Sequence, residues 1–322
     1  MALGHRAEGR SLTDAGSSHR NQGCRRRGAA CTVLSARCCL HGATCTDERD
    51  AGEGPFGHSA AAAAAAPQRG KGMTHIFADP SEIGDTLRVR GADFNHIKNV
   101  LRMRPGEELS VSDGSERTYL YRIEQYAEGE AVLSLVSAGV SDAELPVHVT
   151  LFQGLPKGDR MDFIVQKCTE LGCDEFVPVE MERCVMKLEG PRREKKREHW
   201  QSVAESAAEQ SRRTKVPAVQ SPVSMKEALR MAGNYDIRIL PYEKAENGRD
   251  TREILGGIRP GQSIAVFIGP EGGFSPAEVE EAKKAGCEPV TLGHRILRTE
   301  TAGMCALSFL VYRMEIEGAG DD

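Results

Sequence analysis

At 322 residues, with a formal net charge of −5 and 39% hydrophobic residues, the chain is long enough for two domains with separate cores. An acidic balance excludes indiscriminate binding to nucleic acid and leaves selective binding through a local basic patch open. No run of about eighteen apolar residues occurs, so no membrane span is expected.

Residues 1–72 differ from the rest. They hold ten Lys/Arg against six Asp/Glu, five of the ten cysteines, and an alanine run from Ala60 to Ala66. Without sustained periodicity, such a segment cannot bury enough apolar surface to offset the entropy of ordering it. It is expected to be a disordered or non-native extension, with Met73 as an alternative start of translation. The other cysteines (Cys168, Cys173, Cys184, Cys287, Cys305) stand singly in apolar patterns without metal-ligand spacing. They read as buried free thiols of a reducing cytoplasm, and no metal site is expected.

Residues 73–143 alternate at period two through Leu87/Val89, Leu109/Val111, Tyr119/Tyr121/Ile123 and Ala131/Leu133/Leu135, with turn chemistry at Pro105-Gly106 and Asp113-Gly114. One helix is predicted over 93–103, with Phe94, Ile97, Val100 and Leu101 on one side. A small barrel with one helix fits. After Pro146 the rhythm becomes strand, helix, strand. Strands are predicted at 147–155, 176–179, 237–240, 264–268 and 289–292. Helices are predicted after Lys157, closed by Gly172, from Pro191, and at the end around Cys305 to Leu310. This order implies an α/β layer with a mostly parallel sheet and ligands at the carboxyl ends of its strands.

Gly256-x4-Gly261-Gln262-Ser263 has the glycine spacing of a phosphate-binding loop, but Gln stands where Lys is required and the segment precedes a strand. No G-x-G-x-x-G opens a helix after a strand. Two other glycine turns do follow strands. Gly269-Pro-Glu-Gly-Gly-Phe alone could be an ordinary strand-to-helix turn, with Ser275-Pro276 as cap and first helical residue. Leu292-Gly-His-Arg-Ile-Leu-Arg298 is an extended loop leading into Thr-Glu-Thr-Ala, and Ile296 and Leu297 have no evident core role there. A flat apolar ligand would give them one. Together the turns imply a pocket walled by main chain. Basic residues cluster at His96–Arg104, at Lys157–Arg160, and at Arg192–Arg197 with Arg212-Arg213. The run at 192–198 is interrupted by Glu194 and Glu198 and reads as a solvated helix face. Arg102, Arg104, Lys157, Arg160 and Arg213 sit where phosphate contacts are commonly made.

The segments G-P-E-G-G-F-S (269–275) and L-G-H-R-I-L-R-T-E-T-A (292–302) closely resemble the signature of the RsmE family of 16S rRNA (uracil-N3)-methyltransferases, in the SPOUT superfamily. His96-Ile-x-x-Val-Leu-Arg-Met, Lys157-Gly-Asp-Arg-Met-Asp, Arg183-Cys-Val-Met-Lys187 and Glu209-Gln-Ser-Arg-Arg213 are similar to further blocks of that family. His294, Arg212 and Cys168 depart from common residues without removing a motif position.

The resemblance implies an α/β fold with a SPOUT-type trefoil-knotted parallel sheet over 146–322, and an N-terminal PUA-like RNA-binding β-barrel over 73–143. It implies S-adenosyl-L-methionine as cofactor, held by Leu240 and the loop after it, by Gly269, Pro270, Glu271 and Gly272, and by Leu292, Gly293, Ile296, Leu297, Arg298, Thr301 and Ala302. Backbone groups of Leu292, Ile296, Leu297 and Ala302 are expected to hold the adenine. The implied partners are 16S rRNA of the small ribosomal subunit and a second copy of the chain. Uracil N3 must lose a proton, and the signature contains no His except His294. Arg298 is therefore expected to stabilise the uracil anion, and Glu300 or water to take the proton. A SPOUT enzyme acting on another base or a ribose, and a non-catalytic ribosome assembly factor, are the alternatives.

Overall fold

The structure, a computed structural model, describes residues 73–243 and 251–317. The expectations for residues 1–72, and part of the loop expected after Leu240, lie outside the described residues.

Five strands form the first sheet: β1 (His75–Phe77), β2 (Thr86–Arg90), β3 (Glu108–Ser112), β4 (Arg117–Ala127) and β5 (Glu130–Val140). Their order is β1-β3-β4-β5-β2, antiparallel except for β1 with β3. Alternation turns Leu87, Val89, Leu109, Val111, Tyr121, Ile123 and Leu133 to one buried side. Ile97 of the short helix α1 (91–100) joins that core with no exposed surface.

Helix α1 differs from its sequence expectation. It begins at Gly91, and its second half (96–100) is wound as a wider π turn, with the Leu101 N–H donating to His96 O at 2.9 Å. The wider turn shifts the phase of the side chains. Val100 and Leu101, expected on the core side, are exposed instead. The helix stops at Arg102, whose φ of 55° is left-handed.

The second sheet contains β6 (His148–Gly154), β7 (Glu175–Glu180), β8 (Ala218–Val219), β9 (Val223–Ser224), β10 (Ile237–Pro241), β11 (Ser263–Ile268) and β12 (Glu288–Val290). The path β12-β10-β11-β6-β7-β8 is parallel throughout, with β9 also beside β7. Both faces are covered, as an all-parallel sheet requires. On one face Val149, Leu151, Ile264, Val266 and Ile268 pack with α2 (Arg160–Glu170), α3 (Pro191–Ser211), α5 (Thr251–Gly256) and α7 (Thr299–Val311). On the other, Phe152, Val177, Ala265 and Phe267 pack with α4 (Met225–Ala232) and α6 (Pro276–Lys284). Each fully buried aliphatic or aromatic side chain contributes roughly 1.5–3 kcal/mol.

The crossing from β11 over β10 to β12 positions the site. After β12 the chain returns as α7 to pack on α2 and β11. This is the α/β class with a parallel sheet expected from the resemblance. At Gly303 helix α7 lies close to α2 and β6, where a Cβ would make ordinary contact, 3.4 Å from Cys168 Sγ and 3.5 Å from Leu151. Ser275 caps α6 in a reciprocal capping box with Glu278, and Pro276 lies in the first turn.

Candidate active site

The carboxyl ends of β6, β7, β11 and β12 carry loops 155–159, 181–190, 269–275 and 291–298. The two glycine turns lie on this edge and differ in how they are held.

The first turn closes through the Gly273 N–H to Pro270 O at 2.8 Å. A Cβ on Gly269 would lie 3.1 Å from the Gly273 backbone, so the turn needs glycine to close on itself. Gly269 O accepts from Thr299 Oγ1 at 2.7 Å, and Gly272 O accepts from Arg183 Nη1 at 2.8 Å. The Glu271 carboxylate accepts the Lys157 N–H at 2.9 Å and pairs with Arg160. Partial burial opposes its charge, but these donors outweigh burial and hold its carboxyl below the usual range. Glu271, expected to contact the cofactor, therefore directs its carboxylate at the neighbouring loop. Pro270 is buried and packs on Gly154, where a Cβ would come within 2.7 Å of the proline ring.

The second turn is open. The Gly293 N–H is held by Thr291 Oγ1 at 3.1 Å, and the Thr291 N–H by Thr251 Oγ1 at 3.0 Å. Gly293 has φ 110°, and no atom lies within 4 Å of where its Cβ would stand. The backbone refuses a side chain there, while the space beside the Cα is clear for a ligand. Leu292 and Leu297 are half-buried and Ile296 is 85% exposed. Leu240, next to the carboxyl end of β10, is fully buried in the core.

Arg298 is the N-cap residue of α7 and its side chain is exposed; Glu300 lies half-buried in the first turn, where an acid complements the helix dipole. Arg298 O accepts the Thr301 and Ala302 N–H groups at 3.0 and 2.9 Å. The Ala302 N–H is thus bonded inside the helix, and its half-buried side chain packs against the core.

Among the residues expected to bind RNA, Arg102, Arg104 and Lys157 are exposed, and Arg160 is engaged with Glu271. Arg213 is a correction. It is 2% exposed and donates to Glu144 Oε2 at 2.6 Å, to Asp174 Oδ1 at 3.3 Å, and to the carbonyls of Thr169 and Cys173. Burial opposes ionisation of Glu144, but the Arg213 guanidinium and the Thr214 and Lys215 N–H groups hold its carboxyl below the usual range. Arg213 thus fastens the segment joining the two sheets to the end of α2. Arg183, Gln153 and Thr299, which carry no sequence expectation of their own, also hold this edge together. Arg183 and Thr299 stand inside the motif blocks, whereas Gln153 looks like an ordinary member of an apolar strand.

Among the described residues, no group of three or more His, Cys, Asp or Glu is placed to hold a metal.

Comparison with known proteins matches two family models: an RNA methyltransferase domain over 143–311 and an RNA methyltransferase PUA domain over 89–135. Over 240 residues, 73% of this chain and 93% of the relative, the sequence is 35% identical to ribosomal RNA small subunit methyltransferase E of Bacillus subtilis. It is 32% identical to that of Mycobacterium tuberculosis, over 70% of this chain and 86% of the relative. The crystal structure of a ribosomal RNA small subunit methyltransferase E from Neisseria gonorrhoeae, bound to S-adenosyl methionine, superimposes with a TM-score of 0.65. It is 34% identical and covers 74% of this chain and 97% of its own.

Proposed function

We infer the activity from one premise: this chain belongs to the ribosomal RNA small subunit methyltransferase E family. It is an S-adenosylmethionine-dependent methyltransferase of small-subunit ribosomal RNA. The finer reading, methylation at N3 of one uridine in 16S rRNA, is supported above all by the position of Arg298. Arg298 is exposed and lies in the chain between a main-chain turn open to a ligand and the helical turn bearing Glu300.

The residues present fit the cofactor. Gly293 leaves clear space beside its backbone, and Leu292, Ile296 and Leu297 offer apolar surface to an adenine ring. Gly269 and Gly272 shape the facing turn. When bound, S-adenosylmethionine supplies an electrophilic methyl group on a sulfonium.

Uracil N3 carries a proton at neutral pH, and that proton must leave as N3 takes up a methyl group. In this reading Arg298 donates N–H groups to the uracil carbonyl oxygens as negative charge builds on the ring. Glu300 accepts the N3 proton, directly or through water. Arg102, Arg104 and Lys157 contact phosphates and present the nucleotide out of its stack. The chain acts as a homodimer in the cytoplasm, where its RNA is made. Exposed Phe163 on α2, with Tyr312 and Ile316 beyond α7, forms the apolar surface for the second copy. No helix among the described residues is long and apolar enough to cross a membrane.

The test is mass mapping of modified nucleotides in 16S rRNA from a deletion strain. Loss of one N3-methyluridine, restored by the wild-type gene and not by Arg298→Ala, is expected. A full set of N3-methyluridines in the deletion strain would contradict the reading, and loss of another methylated nucleotide would assign the enzyme to a different base or ribose.

A further inference from the structure

Three elements of the site meet in a buried chain of hydrogen bonds. Gln153 is the next-to-last residue of β6 and is fully buried; Thr299 opens α7 and is 5% exposed. Gln153 Nε2 donates to Thr299 Oγ1 at 2.8 Å and to Gly154 O at 2.9 Å, and Thr299 Oγ1 donates to Gly269 O at 2.7 Å. The polarity of this chain is fixed. A carbonyl oxygen has no proton to give, so the Thr299 hydroxyl must donate to Gly269 and its lone pair must accept from Gln153. That in turn fixes the orientation of the carboxamide.

The remaining atom, Gln153 Oε1, is buried and has no hydrogen-bond partner. A buried unanswered acceptor carries a desolvation cost that an apolar side chain would avoid. The strand tolerates this cost for the two donors on the same group. Such local conflict with stability is characteristic of functional sites.

We propose that Thr299 and Gln153 are positioning residues for methyl transfer: their hydrogen-bond chain latches the start of α7 to the turn after β11 and so fixes the aim of Arg298. The inference rests on the reading of Arg298 given above. Thr299 directly follows Arg298, and the latch joins it to a turn thirty positions earlier in the chain. Freed from Gly269 O, the first turn of α7 would keep its helical bonds yet lose its registration against that turn. Reacting groups tolerate little misplacement, and displacements near 1 Å can cost about a hundredfold in rate.

Thr299→Val removes the hydroxyl at nearly constant volume, Thr299→Ser keeps it, and Gln153→Met removes the donor from the other end. Amide hydrogen exchange of 269–275, measured without methyl donor or RNA, should rise in Thr299→Val and Gln153→Met and stay at the wild-type level in Thr299→Ser. With donor and small-subunit RNA, kcat should fall about tenfold or more in Thr299→Val. KM for S-adenosylmethionine should move far less, and Thr299→Ser should stay close to wild type. Unchanged exchange in Thr299→Val, or a serine variant as impaired as the valine, would overturn the latch. The exchange measurement needs no substrate, so it stands even where a different nucleotide proves to be the target. Where Thr299→Val does not fold, Thr299→Ser and Gln153→Met decide: serine must match wild type and methionine must loosen 269–275.

Discussion

The two glycine turns look alike in sequence and are held in different ways. The turn after β11 answers its polar groups within the protein: Gly269 O by Thr299, Pro270 O by Gly273, Gly272 O by Arg183, and the Glu271 carboxylate by Lys157 and Arg160. The turn after β12 is tied at its base through Thr291 and Gly293, and beyond that it presents exposed His294, Arg295, Ile296 and Arg298. On the reading proposed above, the first turn acts as scaffold and the second faces the ligand. A glycine-rich signature therefore marks a pocket without saying which of its glycines touch what is bound.

Substitutions can sharpen or break that division. Arg298→Ala should have the largest effect, lowering kcat by roughly a hundredfold to a thousandfold, as loss of a donor to developing charge does elsewhere. Binding of S-adenosylmethionine, followed by calorimetry, should change little; equal losses in both would move Arg298 from the chemistry to the cofactor. Gly293→Ala comes next. At φ 110° a side chain is strained by roughly 1–3 kcal/mol. A Cβ there would also occupy the open space beside the Cα, so cofactor affinity should fall about tenfold or more, while the strain lowers the thermal midpoint of the ligand-free protein by several degrees. Glu271→Gln should have the smallest effect. Its pair with Arg160 is partly exposed, so about 1 kcal/mol or less is at stake, read as a change of a few-fold in cofactor affinity. A Glu271→Gln loss as large as that of Gly293→Ala would mean that the first turn also contacts the ligand.

Much of this site was legible in the chain. Uninterrupted apolar runs located β6 and β11, helical spacing located α2, and Pro191 located the start of α3. The signature drew Arg298, Glu300 and both turns together. What escaped depends on distance. Arg213 reads as a phosphate contact because its partner Glu144 lies 69 residues away, and nothing local announces that the pair is buried. Gln153 and Thr299 are 146 residues apart. Val100 and Leu101 left the core because α1 widens into a π turn, which a period-3.6 reading does not contain. Pattern reports which faces are apolar; polar pairing between distant segments follows from the fold that pattern produces.

The division between the turns is tested most directly by amide hydrogen exchange of the wild-type protein with and without S-adenosylmethionine. The account predicts slow exchange at 269–275 in both states, and strong new protection at 292–298 when the methyl donor is added. Free exchange at 269–275 that slows only with the donor, alongside an unchanged 292–298, would contradict it.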